Sequence, residues 1–201
     1  MATLLRICCL CTSLLCFVAH ANRVSMPEHQ NMPGTVQLSF AKDFQHVQLV
    51  HDTVMGGRSS GAVQPLDDAA ALRFSGQLSL ANNGGFASVR FNLAEPLAPL
   101  NYQRILLQLV ADGRRYQLRL KTPFIPTGVA YVAEFDSQQS NRHYEFRPAD
   151  FEGRFRGRPV RGLPPLRFAD IYQLSIMLAD RTSGDFEILL YSIEFSALQS
   201  I

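Results

Sequence analysis

The sequence predicts an all-β fold, a jelly-roll β-sandwich with very little helix. Three observations predict it. From Thr35 onward, short runs alternate apolar and polar residues with a period of two. Gly, Pro, Asn and Asp cut these runs at short intervals. Helical periodicity and internal repeats are both lacking. About eight to ten strands in a domain of this size suit a jelly roll.

The elements follow in order. Residues 1–21 read as a secretory signal peptide: Arg6 near the start, an apolar core over residues 7–19, then Ala19-His20-Ala21. The core is too short for a membrane span, which needs about 20 apolar residues. Cleavage would remove all four cysteines, Cys8, Cys9, Cys11 and Cys16, and leave a mature chain without thiols or disulfides. A lipid-modified Cys16 is disfavoured by the bulky Leu15 before it. The expected destination is periplasmic or secreted, with no membrane span after cleavage. Residues 22–34, with Pro27, Pro33 and Gly34, read as a flexible lead-in. Residues 35–201 read as a single jelly-roll domain.

Strands are expected at 36–40 and 72–75. A hairpin is expected from 76–81 and 86–91 around Asn82-Asn83-Gly84-Gly85, pairing Leu78 with Val89 and Leu80 with Ala87. A second is expected from 104–111 and 114–121 around Asp112-Gly113, a strong two-residue turn signal. Its register pairs Ile105 with Leu120, Leu107 with Leu118 and Leu109 with Tyr116 on an apolar face. Gln108 pairs with Gln117 and Val110 with Arg115 on the other. Further strands are expected at 131–136, 143–147, 172–178 and 186–195, the last alternating Leu189, Tyr191, Ile193 and Phe195 against Leu190, Ser192, Glu194 and Ser196. Residues 148–165 read as irregular.

Composition narrows the function. The chain carries 19 basic and 17 acidic residues. Losing Arg6 with the signal peptide would leave 18 against 17, no footprint for nucleic acid. Gly57-Arg58-Ser59-Ser60-Gly61 fits the nucleophile-elbow pattern, but that motif needs a strand, a sharp turn and a helix. The residues that follow, through Pro65, start no helix, so Ser59 reads as part of a Gly/Ser loop whose replacement by Ala would leave stability unchanged. His46, His51 and Asp52 are close in sequence, yet His46 and His51 face opposite ways on a strand. No metal site, cofactor or catalytic residue is expected, and Asp67-Asp68 read as a solvated turn. The arginines of 154–161 are expected to pair locally. Polar stripes Arg115, Gln117, Arg119, Lys121 and Gln77, Ser79, Ser88, Arg90 read as outer sheet faces. A glycan site lacking Trp would have to use Tyr102, Tyr131 or Tyr144.

Five segments carry a resemblance. Asp52-Thr53-Val54-Met55-Gly56-Gly57-Arg58-Ser59 resembles the D-x-V-M-G-G-x-S signature of the complex I intermediate-associated protein 30 family. Residues 74–80 with Asn83-Gly84-Gly85-Phe86-Ala87-Ser88-Val89-Arg90 resemble its second block, and Asp112-Gly113-Arg114-Arg115-Tyr116 its third. Phe151 with Phe155-Arg156-Gly157-Arg158 resembles a fourth, and Gly184-Asp185-Phe186-Glu187-Ile188 the closing strand. The resemblance implies a galactose-binding-like jelly roll without a catalytic mechanism, whose mitochondrial members are assembly chaperones of NADH:ubiquinone oxidoreductase. The family pattern carries Trp before the first and fourth blocks, and this chain has none.

The expected function is therefore an exported, non-enzymatic binding or assembly-factor domain with a protein partner; the alternative is a carbohydrate-binding module. Two adjacent glycines, Gly56 and Gly57, point to backbone angles that side chains forbid. Asp52 is suited to accept amide hydrogen bonds from that loop, with Arg90 or Arg156 as its charge partner. The candidate binding or structural residues are Asp52, Met55, Gly56, Gly57, Ser59, Asn83, Gly84, Gly85, Arg90, Arg115, Tyr116 and Arg156.

Overall fold

The computed structural model describes residues 34–197. The expected signal peptide, and the lead-in up to residue 33, lie outside the described residues. Gly34 already belongs to the fold, since its carbonyl accepts the Ala197 amide at 2.9 Å.

Two antiparallel sheets pack face to face, and no α-helix occurs among the described residues. The strands are β1 (Thr35–Ser39), β2 (Phe44–His51), β3 (Ser60–Leu66), β4 (Ala71–Leu78), β5 (Ala87–Leu93), β6 (Tyr102–Ala111) and β7 (Arg115–Lys121). They continue with β8 (Val129–Asp136), β9 (Arg142–Phe146), β10 (Glu152–Phe155), β11 (Arg158–Pro159), β12 (Gln173–Leu178) and β13 (Gly184–Ala197). One sheet runs β3-β4-β13-β6-β9, with β1 also on β13; the other runs β11-β10-β8-β7-β12-β5-β2. This is the all-β sandwich that the alternating runs predict.

Both expected hairpins are corrected. β6 pairs with β13 and β9, so that Leu107 lies opposite Ile193 and Tyr144. β7 pairs with β12 and β8 in the other sheet, so that Leu118 lies opposite Ile176 and Ala133. Asp112-Gly113 is thus a corner between sheets. The corner is tied down: the Asp112 carboxylate accepts the Arg114 amide at 3.0 Å, the Tyr116 hydroxyl at 3.1 Å and the Glu187 amide at 3.0 Å. The Arg114 guanidinium meets Asp180 at 2.7 Å, both largely buried. The facing was nevertheless read correctly, because Ile105, Leu107, Leu109, Tyr116, Leu118 and Leu120 are all buried in the core. They meet across the sandwich instead of along a hairpin.

The segment 82–85 is likewise a crossing. The expected strand 72–75 and the first arm of the expected hairpin form one strand, β4, paired with β3 and β13. β5 pairs with β12 and β2, so Val89 faces Ile176 and Leu49. Leu80 lies beyond β4 and is exposed. In β13 a register shift between Leu190 and Ser192 reverses the alternation. Ile188 and Leu190 therefore face inward together with Ile193 and Phe195. Residues 148–165 contain the β10–β11 hairpin.

Phenylalanines supply much of the aromatic core. Phe40, Phe44 and Phe91 meet with ring centroids 4.9–5.3 Å apart, a spacing favourable for aromatic pairs.

Candidate functional site

The strongest polar assembly lies at one end of the sandwich, where β2 gives way to a 3-10 turn over Asp52–Met55. Asp52 is completely buried. A buried carboxylate requires donors, and four converge. Its Oδ1 accepts the Ser59 amide at 2.9 Å. Its Oδ2 accepts the Ser59 hydroxyl at 2.5 Å and the amides of Gly85 at 2.6 Å and Phe86 at 3.4 Å. Burial alone would raise the Asp52 carboxyl; the hydrogen bonds from the Ser59 hydroxyl and from the Gly85, Ser59 and Phe86 amides outweigh it and hold it below the usual carboxylate range. No arginine is among its partners.

Ser59 links the two loops. It is buried, and its hydroxyl also accepts the Ser79 amide at 3.0 Å. These bonds run against the expectation that replacing Ser59 by Ala leaves stability unchanged. Its hydroxyl is held by a carboxylate and a backbone amide, and no histidine is among its partners. Across the same junction Asn82, not Asn83, donates to the Gly56 carbonyl at 3.0 Å.

The glycines have separate reasons. Gly56 ends the 3-10 turn at φ +86°, the left-handed region. Gly57 does not adopt a positive φ; a Cβ there would overlap the Asp52 carboxylate, and a Cβ at Gly84 would do the same from the other loop. Two backbones approach one carboxylate, and only glycine leaves the space.

The remaining candidates lie elsewhere. Tyr116 is fully buried; burial pushes its phenol up, and its hydroxyl serves the Asp112 corner. Arg115 is exposed and paired with Asp136 at 2.7 Å. Arg156 sits in the β10–β11 turn, 5.5 Å from the Phe155 ring centroid, at the sheet edge opposite β2 and out of reach of Asp52. Arg90 points outward from the middle of β5. Of the other local arginines, Arg154 pairs with Glu134 at 2.6 Å and Glu152 at 2.8 Å.

The expected glycan rings are not available as platforms. Tyr102 and Tyr131 are buried, the latter donating to the Pro164 carbonyl at 2.6 Å, and Tyr144 packs 4.9 Å from Phe135. Among the described residues no three His, Cys, Asp or Glu side chains converge as metal ligands, and no helix is long and apolar enough to cross a membrane.

The turns that hold the buried carboxylate also expose apolar side chains, among polar neighbours such as Arg58 and Asn83. Val54 and Met55 are 72% and 60% exposed, and Leu80 is 44% exposed. Sequence reasoning marked Met55 but missed Val54 and Leu80, because nothing in a one-dimensional pattern separates a core apolar residue from one held outward.

The family model described as Complex I intermediate-associated protein 30 matches residues 36–190. No curated protein sequence matches at a significant level. Among solved structures, the fold is similar to the family 11 carbohydrate-binding module of the cellulosomal cellulase Lic26A-Cel5E of Clostridium thermocellum. The identity is 15% and the TM-score 0.58, covering 84% of this chain and 97% of that one. A family 11 module from Clostridium thermocellum in complex with a β-1,3-1,4-mixed-linked tetrasaccharide is similar at 14% identity and TM-score 0.50, over 87% and 96%. At such identities the likeness concerns the fold.

Proposed function

The chain belongs to the complex I intermediate-associated protein 30 family, and from that premise we propose that it is an exported, non-catalytic domain that binds a protein partner in assembling a complex. The observation that carries the reading is the exposure of three apolar side chains, Val54, Met55 and Leu80, on two loops that Asp52 ties together. Exposed apolar groups on a rigid support are the usual anchors of protein interfaces. The carbohydrate alternative draws on the sandwich fold, but its candidate rings, Tyr102 and Tyr131, lie in the core. Export rests on residues 1–21.

The test is capture from envelope extracts with residues 22–201 as bait. The natural chain retains a partner; Val54→Asp and Met55→Asp lose it while melting at the same temperature. Equal capture by these variants, or a glycan-array signal in place of protein capture, overturns the reading. Intact mass of exported protein beginning at Asn22 supports export, and a lipid-bearing Cys16 contradicts the assigned cleavage.

A further inference from the structure

The outer face of the seven-stranded sheet carries a second feature. Its register sets Arg90 on β5, Ser175 on β12 and Arg119 on β7 side by side, and Asn92, Gln173 and Lys121 form the next row. Arg90 and Arg119 thus flank the small Ser175 across two strand spacings, about 10 Å. Lys121 lies two residues along the strand from Arg119, about 7 Å away. All three cations are half-buried.

None has a carboxylate partner among the described residues. Among the described residues Arg119 donates only to the neutral Gln117 Oε1, at 3.0 Å. The three carboxylates on this face are taken: Glu134 and Glu152 by Arg154, Asp136 by Arg115. Like charges on adjacent rows destabilise a sheet. Burial, with Arg90 and Arg154 nearby, pulls the Arg119 guanidinium below its usual range, and burial with Arg90 and Arg119 does the same to Lys121. Such a cluster is relieved when an anion enters it.

We propose that Arg90, Arg119 and Lys121 form an anion site that takes the carboxylates of an extended acidic segment of the protein partner. This rests on the protein-binding reading above. The spacing of Arg119 and Lys121 matches alternate side chains of an extended peptide, which are also about 7 Å apart. Gln45 and Gln48 border the cluster and offer amides to a peptide backbone, while Gln173 donates to the Asn92 Oδ1 at 2.8 Å. No aromatic ring occupies an outward position on β5, β12, β7 or β8, which disfavours a sugar chain.

The test is fluorescence anisotropy of a labelled peptide with Glu at alternate positions, against residues 22–201. Binding is expected, weakening as salt rises from about 0.05 to 0.5 M. Arg119→Gln and Lys121→Gln should each weaken it about tenfold, the loss of one charge-assisted contact. Arg119→Lys should retain part of the affinity, and Arg142→Gln on the other sheet should change nothing. Unchanged melting temperatures separate these effects from unfolding. Peptide binding indifferent to Arg119→Gln overturns the proposal, as does an oligouronate that binds where the peptide does not. If partner capture fails for Met55→Asp but survives Arg119→Gln, the anion site falls and the protein-binding reading stands. If the natural chain captures no partner, the reading itself falls.

Discussion

The Ser59 hydroxyl lies 2.5 Å from Oδ2 of Asp52, and both residues are buried. The contact joins the turn after β2 to the crossing after β4, since Ser59 also holds the Ser79 amide and Asp52 the Gly85 amide. Removing the Asp52 carboxylate leaves the amides of Ser59, Gly85 and Phe86 unpaired, and removing the Ser59 hydroxyl leaves the half-buried Ser79 amide unpaired. Asp52→Ala should cost about 2–4 kcal/mol and Ser59→Ala about 1–3 kcal/mol. Urea unfolding of each variant measures this, and a Ser59→Ala protein as stable as the natural one would refute the linkage.

The pH dependence follows from the same hydrogen bonds. The folded Asp52 carboxyl is held below its unfolded value, which is about 3.9. Its contribution is therefore complete above about pH 4 and is lost as pH falls through the lowered folded value. The stability difference between the natural chain and Asp52→Asn should be constant from pH 7 to about pH 5 and shrink below about pH 4. A difference that stays constant down to pH 3 contradicts the assignment.

Gly57 is required for the space beside Asp52, not for its backbone angle. Gly57→Ala should cost about 1–3 kcal/mol in the natural chain. In an Asp52→Ala background most of that cost should vanish, because the overlapping group is gone. A double-mutant cycle checks this coupling; simple additivity would place the strain in the backbone.

The sandwich separates Gln108 from Gln117, which a hairpin would make neighbours. Gln108 hydrogen-bonds Asn141 and Ser192 on one sheet, and Gln117 bonds Glu134 on the other. In residues 22–201, which contain no cysteine, Gln108→Cys with Gln117→Cys should form no intramolecular disulfide, because that bond needs Cα atoms within about 7 Å. Rapid oxidation to a native, monomeric, cross-linked protein would restore the hairpin.

Leu118 faces the core from β7 and Gln117 faces outward. Leu118→Ala should cost about 2–5 kcal/mol through lost burial and a cavity, and Gln117→Ala under about 0.5 kcal/mol. Equal shifts in urea midpoints would mean that the facing is wrong.

By itself the sequence determined the β class, most strand positions and the buried side of β6 and β7; it passed over β2, β3 and the β10–β11 hairpin and misjudged the facing along the first half of β13. Alternation with period two is a local property, and it carries the inward set Leu107, Leu109, Tyr116, Leu118 and Leu120 whatever the strands pair with. It also marked Asp52 and its glycines, since a short acid beside Gly-Gly has few uses other than holding a tight loop. Pairing was decided only in three dimensions. Asp112-Gly113 and 82–85 turn the chain equally well into a neighbouring strand or into the opposite sheet, and burial of the apolar faces against each other settles it. The shift in β13 beside Tyr191, the choice of Ser59 over Arg90 or Arg156 as partner to Asp52, and the meeting of Arg90 with Arg119 across Ser175 all depend on contacts between residues far apart in the chain. No local pattern encodes them, because each is fixed by which strands lie side by side.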